Sequence, residues 1–194
     1  MFGLFLVLDN FACHPKFIYL MKKSIQKSST LLLCLFFSFQ THAQIEFDIQ
    51  EAAKAYYSAK MCDDYQTLLG FTYPDVVEKA GGSENVIKAL ELIHETQRKK
   101  GFVLQEFKSK PHIQLTETGE ETHAIVPVTT VSKVPGGKVI TEGHIIVVGT
   151  EKNSRWYIIE TTSLDDGNVN KVLASWDNTM LIPFKKAPVF REDK

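Results

Sequence analysis

The sequence predicts an α+β fold with helices first and an antiparallel sheet after them. Three observations carry this. Apolar residues recur at helical spacing as far as Gln97, the period drops to two after Gly101, and compact turn signals then separate four long strand-like runs. Three N-terminal helices packed on a four-stranded meander are therefore expected.

One long helix followed by one short helix is expected over Phe47–Leu69, where Ile49, Ala52, Ala53, Tyr56 and Tyr57 are followed by Met61, Tyr65, Leu68 and Leu69. The phase slips near Lys60, and Asp63-Asp64 suits the cap of the second, shorter helix. Gly70 and Tyr73-Pro74 close this unit, and Asp75–Lys79 has room for one more turn before Gly81-Gly82. Ser83 reads as an N-cap with Glu84 in the first turn, and Val86, Ile87, Leu90, Ile93, His94 and Gln97 keep helical spacing. Arg98-Lys99-Lys100-Gly101 supplies a basic last turn and a glycine stop.

Strands are expected over Phe102–Leu115 (with Pro111 at a bulge or edge), Thr122–Lys133, Val139–Thr150 and Arg155–Thr162. Thr118-Gly119, Pro135-Gly136-Gly137 and Lys152-Asn153-Ser154 are the turns between them. The remainder, Ser163–Lys194, holds Asp165-Asp166-Gly167, a short helix over Val169–Ser175 and a tail punctuated by prolines.

The first 43 of the 194 residues show another pattern. Met21-Lys22-Lys23 begins a basic stretch, Leu31–Phe37 is apolar, and Thr41-His42-Ala43 ends in a small residue, as a cleaved export signal requires. The apolar run is shorter than the roughly 20 residues of a membrane-spanning helix, so no stable membrane anchor is expected. Residues 1–20 then read as a misassigned upstream extension with Met21 as the start. The rival is a longer uncleaved anchor, which would bury Asp9, His14 and Lys16 at a cost. A lipidated Cys34 is rejected because Leu33 precedes it where a small residue belongs. The expected organisation is 1–20 extension, 21–43 signal, 44–194 one domain, located in the periplasm or secreted.

Cleavage leaves 18 Lys+Arg against 22 Asp+Glu, a net charge of −4, which argues against a nucleic-acid partner. Cys62 alone survives, so neither an intramolecular disulfide nor a cysteine-based metal site is expected.

A tight turn at Gly136-Gly137 places Thr129 opposite His144 and Val128 opposite Ile145. One face then carries Ala124, Val126, Val128 and Thr130 with Val139, Thr141, Gly143, Ile145 and Val147, small and apolar enough for helices to cover. Trp156, Ile158 and Glu160 join it. The other face carries His123, Ile125, Thr129 and Val131 with Ile140, Glu142, His144, Ile146 and Val148. Its apolar patch is too large for plain surface and predicts a homodimer centred on Ile146. The rival is a tail that folds back, with Trp176, Leu181 and Phe184 as the cover. His123 and His144 share this face about six residues apart, too far for one ion, and no metal site is expected. A bulge at Pro127 would invert these assignments beyond it.

Long helix, short helix, Tyr73-Pro74, Gly81-Gly82, third helix, then a meander containing Arg155-Trp156-Tyr157-Ile158-Ile159: this order resembles the nuclear-transport-factor-2-like superfamily over roughly Gln44 to Ser163. The resemblance implies a cone-like domain in which a curved sheet wraps helices around a pocket. It also implies dimerisation through the outer sheet side. The scaffold hosts isomerases, dehydratases, ligand binders and inert partner modules, so it leaves catalysis open.

Isomerase-like members use a carboxylate base and a tyrosine or acid inside the cone, and that motif does not align here residue by residue. Glu160 is the clearest inward carboxylate, where burial would raise its pKa as proton-transfer bases require. Glu160, Tyr57 and Tyr65 are the catalytic candidates; Tyr56, His94, Trp156 and Thr141 are the ligand-binding ones. The plainer reading is that Glu160 pairs with a lysine and the tyrosines are amphipathic core. The leading expectation is non-catalytic binding of a small apolar ligand or a protein partner, without a cofactor. The alternatives are a lyase or isomerase using Glu160 with a tyrosine, and a structural homodimer. A sealed interior would sink both pocket readings, and an open cavity with Glu160 within reach of a tyrosine would favour the enzyme.

Overall fold

The computed structural model describes residues 43–150 and 155–193, and Ile45–Lys194 form one compact unit. The expectations for residues 1–42, the upstream extension and the body of the export signal, fall outside the described residues, as does the turn at 152–154.

Helices precede a curved antiparallel sheet that forms a half-barrel, an α+β arrangement. Helix α1 spans 43–62, and α2 (Tyr65–Gly70), α3 (Pro74–Lys79) and α4 (Ser83–Lys99) come after it. Asp64 caps α2 as its position suggests, accepting from the Thr67 N–H at 3.1 Å. At α4 the cap is Gly82 rather than Ser83, and its φ of 110° is one that glycine alone adopts easily. The same helix ends in a Schellman turn: Gly101 N–H donates to the Arg98 carbonyl and Phe102 N–H to the Gln97 carbonyl.

The sheet has six strands rather than four: β1 (Val103–Ser109), β2 (Gln114–Thr118), β3 (Glu121–Val134), β4 (Gly137–Thr150), β5 (Arg155–Glu160) and β6 (Val189–Glu192). Two departures account for the difference. The run expected as one strand over Phe102–Leu115 breaks around Pro111, which has no N–H to give the ladder, and its halves β1 and β2 both pair with β3. The chain's end returns as β6 beside the start of β4. The helix expected over Val169–Ser175 is a single 3-10 turn, Val169–Lys171.

β3 and β4 pair continuously, with Pro127 opposite His144, Val128 opposite Gly143 and Thr129 opposite Glu142. The turn is Pro135-Gly136, between Val134 and Gly137, so the register lies two residues from the expected one. Proline fixes φ near −65° and Gly136 has φ 81°, the pair of angles of a type II turn. A shift of two leaves every side chain on its predicted face, and Pro127 makes no bulge.

On the inner face Ala124, Val126, Val128, Ile145, Val147 and Ile158 pack against Ile49, Ala53 and Tyr57 of α1. Those three helix residues are four apart, one stripe of the helix. On the outer face Ile125, Ile146, Val148, Tyr157 and Ile159 meet Leu164, Val169, Leu173, Trp176 and Met180 of the tail. Each apolar side chain so buried contributes roughly 1.5–3 kcal/mol. Ile146 is 0% exposed, so the centre of the patch expected to be open to a second copy is covered by the chain itself, whereas Val131 and Ile140 at its other end are only half-buried. Trp176 belongs to that cover, whereas Leu181 and Phe184 are exposed.

Candidate functional site

A notch in the sheet makes room for a cavity. β5 pairs with β4 from Ile145 onward and β6 only up to Ile140, so among the described residues Thr141–His144 have no strand neighbour on that side. After β5 the chain turns away through the 3-10 turn Thr161–Ser163 and returns as a strap, 183–188, leading into β6. Between the strap, the notch, α1 and the end of α4 lies an open cavity of about 400 Å³. Phe102, Leu104, Val128, Tyr57 and Pro188 form its apolar wall; Thr130, Ser132, Thr141, Thr161 and Thr162 line it with hydroxyl-bearing residues.

Its charged group is built from two elements. α1 presents Tyr56, Tyr57 and, a turn later, Lys60; the last residue of β5 is Glu160. Tyr57 is fixed by stacking on Phe107, with ring centroids 3.9 Å apart, and Tyr56 stands edge-on to Tyr57 and to Phe71. Glu160 Oε1 accepts from the Tyr56 hydroxyl at 3.1 Å and from Lys60 Nζ at 2.5 Å. The lysine ammonium also lies 5.9 and 5.8 Å from the Tyr56 and Tyr57 ring centres, within cation–π range.

Burial and then the Glu160 charge push both tyrosine hydroxyls well above their ordinary pKa of 10.0, so they stay neutral donors. The Tyr56 proton is engaged by Glu160. The Tyr57 hydroxyl has no hydrogen-bond partner among the described residues, and Tyr57 lines the cavity.

Of the residues singled out in the sequence, Tyr57, Thr141 and Glu160 line the cavity, and Tyr56 joins them through its bond to Glu160. Tyr65, His94 and Trp156 do not line it. Trp156 lies over Gly149, where an added Cβ would meet the indole at 2.6 Å; it packs, partly buried, against the inner core. Tyr65 and His94 pack together with ring centroids 5.4 Å apart. His94 Nδ1 is 3.2 Å from Asp63, which also pairs with Arg98, and this clamps the α1–α2 corner onto α4. Burial, with Lys60 adding to it, pulls the His94 pKa below 6.5, so the ring is neutral at pH 7.

Sequence reasoning missed Lys60, Lys185 and Lys186. The helical phase slip at Lys60 was the available signal for the first: three residues after Tyr57, it stands on the inner side of α1. The strap lysines depend on where the tail returns, which no local pattern encodes.

A second polar cluster lies under the tail. Glu121 accepts from Tyr73 at 2.8 Å and from Ser175 at 2.5 Å, and stands 3.1 Å from His123 Nε2. His123 is 0% exposed and stacks on Trp176. Ser175 bonds to the carboxylate and not to the imidazole, so the cluster lacks the order of a nucleophilic triad. It fastens the tail to the sheet. His123 stands opposite Val148 and His144 opposite Pro127, four positions apart rather than six. Among the described residues no group of three metal-ligating side chains converges.

Comparison with family models, with curated proteins and with solved structures finds nothing that matches this chain.

Proposed function

We propose that the domain binds a small, largely apolar ligand in the notch cavity without transforming it. The observation that carries this is the cavity itself, apolar in most of its wall and with its one inner carboxylate already ion-paired to Lys60. Pockets of this kind, apolar with a few placed polar groups, are the common form of small-ligand sites. A neutral fluorophore such as N-phenylnaphthylamine should brighten on binding wild type, and Thr141→Phe, which fills the cavity, should abolish the signal. Equal brightening of both proteins would overturn the proposal.

The lyase or isomerase reading has one observation in its favour: Glu160 and Tyr56 meet at 3.1 Å beside an open cavity. Against it, Lys60 occupies the same carboxylate oxygen, so a base would first have to exchange that partner. Under this reading Glu160→Gln loses turnover of a candidate substrate and keeps ligand binding.

The proposed scaffold is nuclear-transport-factor-2-like, supported by the element order and the half-barrel. The proposed setting is the periplasm or the extracellular space after cleavage at Ala43. Mass spectrometry of the exported protein should then find Gln44 first; peptides from residues 1–20 in the mature protein would contradict it.

A further inference from the structure

We infer that the ligand of the notch cavity is a single-chain amphiphile carrying one negative charge on its head group, seated at the strap. This rests on the cavity being the ligand site and adds the charge and orientation of what it takes.

Five ionised side chains line the cavity, and four of them cancel in pairs. Lys60 pairs with Glu160 at 2.5 Å, and Lys186 with Glu142 at 2.6 Å. His144 adds no charge near pH 7, because burial and then Lys186 hold its pKa below 6.5. Lys185 is left over: its ammonium donates to the Thr162 carbonyl at 2.7 Å and has no carboxylate partner among the described residues. One uncompensated, exposed cation therefore lines the cavity together with the apolar side chains of Phe102, Leu104 and Val128.

The strap holds that cation in place. Before it, Leu181 N–H donates to Gln114 and Ile182 N–H to Asp166; after it, Val189–Glu192 is paired into the sheet as β6. A chain laid along the apolar wall places its head at Lys185, where a carboxylate or sulfate gains an ion pair and an alcohol does not. The site is partly solvated, so the preference is modest and weakens with salt.

The experiment is displacement of N-phenylnaphthylamine by decanoate, decyl sulfate and decanol, from wild type and from Lys185→Ala, at neutral pH and low salt. Both anions should compete about fivefold better than decanol on wild type, an advantage of about 1 kcal/mol. In Lys185→Ala the anions should fall to the level of decanol, whose own competition stays unchanged. Equal competition by all three on wild type, or an anion advantage that survives Lys185→Ala, overturns this inference and leaves the ligand site standing. Failure of the fluorophore to bind wild type overturns the site as well.

Discussion

The two faces of one sheet are finished in opposite ways. The outer face is covered by the chain's own tail over Ile125, Ile146 and Val148, each 0% exposed, with the part-buried carboxylate of Glu121 bonded by Tyr73 and Ser175 and flanked by His123, and is left partly open around Val131 and Ile140. The inner face is closed by α1 over half its length and left open over the rest, where the notch in β4 and the strap frame the cavity. The strands are the same on both sides, so the difference comes from what packs on them. A long amphipathic helix covers one straight stripe, while an irregular tail moulds to the surface it covers. Burial is therefore densest where the tail covers the outer face, and the most room for a ligand lies at the notch.

The largest effects should come from breaking the covered side. Ile146→Glu puts an unpaired charge into a dry core and should cost roughly 3–5 kcal/mol. Denaturant unfolding should show it as loss of the fold, whereas an interface residue would have given folded monomers in sedimentation. A second copy can reach Ile146 only by displacing the tail. Leu173→Ala, by opening a void under the tail, should cost about 2–5 kcal/mol.

On the cavity side the effects are smaller. Lys60→Met leaves Glu160 part-buried without its cation and should cost about 1–3 kcal/mol, much of it recovered in the Lys60→Met, Glu160→Gln double variant. A double variant no more stable than the single one would remove the ion pair from the account.

Acid should separate the notch and α4 from the tail. His94 and His144 have pKa values held below 6.5 in the fold, so the unfolded chain binds more protons and stability falls as pH drops below that value. At Glu121 burial acts to raise the pKa, but bonds from Ser175, His123 and Tyr73 outweigh it and hold it below 4.5. Its contribution is present above 4.5 and lost as pH falls through the folded value. Hydrogen exchange monitored downward in pH should loosen α4 and the notch first and the tail afterwards; the reverse order would contradict the assignment.

Much of the fold was legible, for identifiable reasons. α1, α2 and α4 announce themselves by period and by caps at Asp64 and Gly101, and the turn at 135–137 by proline and glycine. Misplacing that turn by one residue moved the register by two, which is why the faces came out right although Thr129 meets Glu142 and not His144. β6 was not legible, because the pairing of Val189–Glu192 with Gly137–Ile140 is a contact between segments some 50 positions apart that neither segment encodes alone, and the outer cover was legible only as the rival to a dimer, with Trp176 rightly among its residues. The site was half legible for the same reason. Glu160 and Tyr57 emerge from local parity, whereas Trp156 obeys the same parity into the core because Gly149 leaves it space there.

The smallest effect on stability should accompany the largest on binding. Thr141→Phe fills open space and should change stability by about 1 kcal/mol or less. The most direct test of the central claim is an NMR map of wild type titrated with N-phenylnaphthylamine. Shifts are expected at Tyr57, Leu104, Val128, Thr130 and Thr141, with Ile146, Leu173 and Trp176 unmoved. Shifts centred on the tail and the outer face, or none at saturating fluorophore, would contradict it.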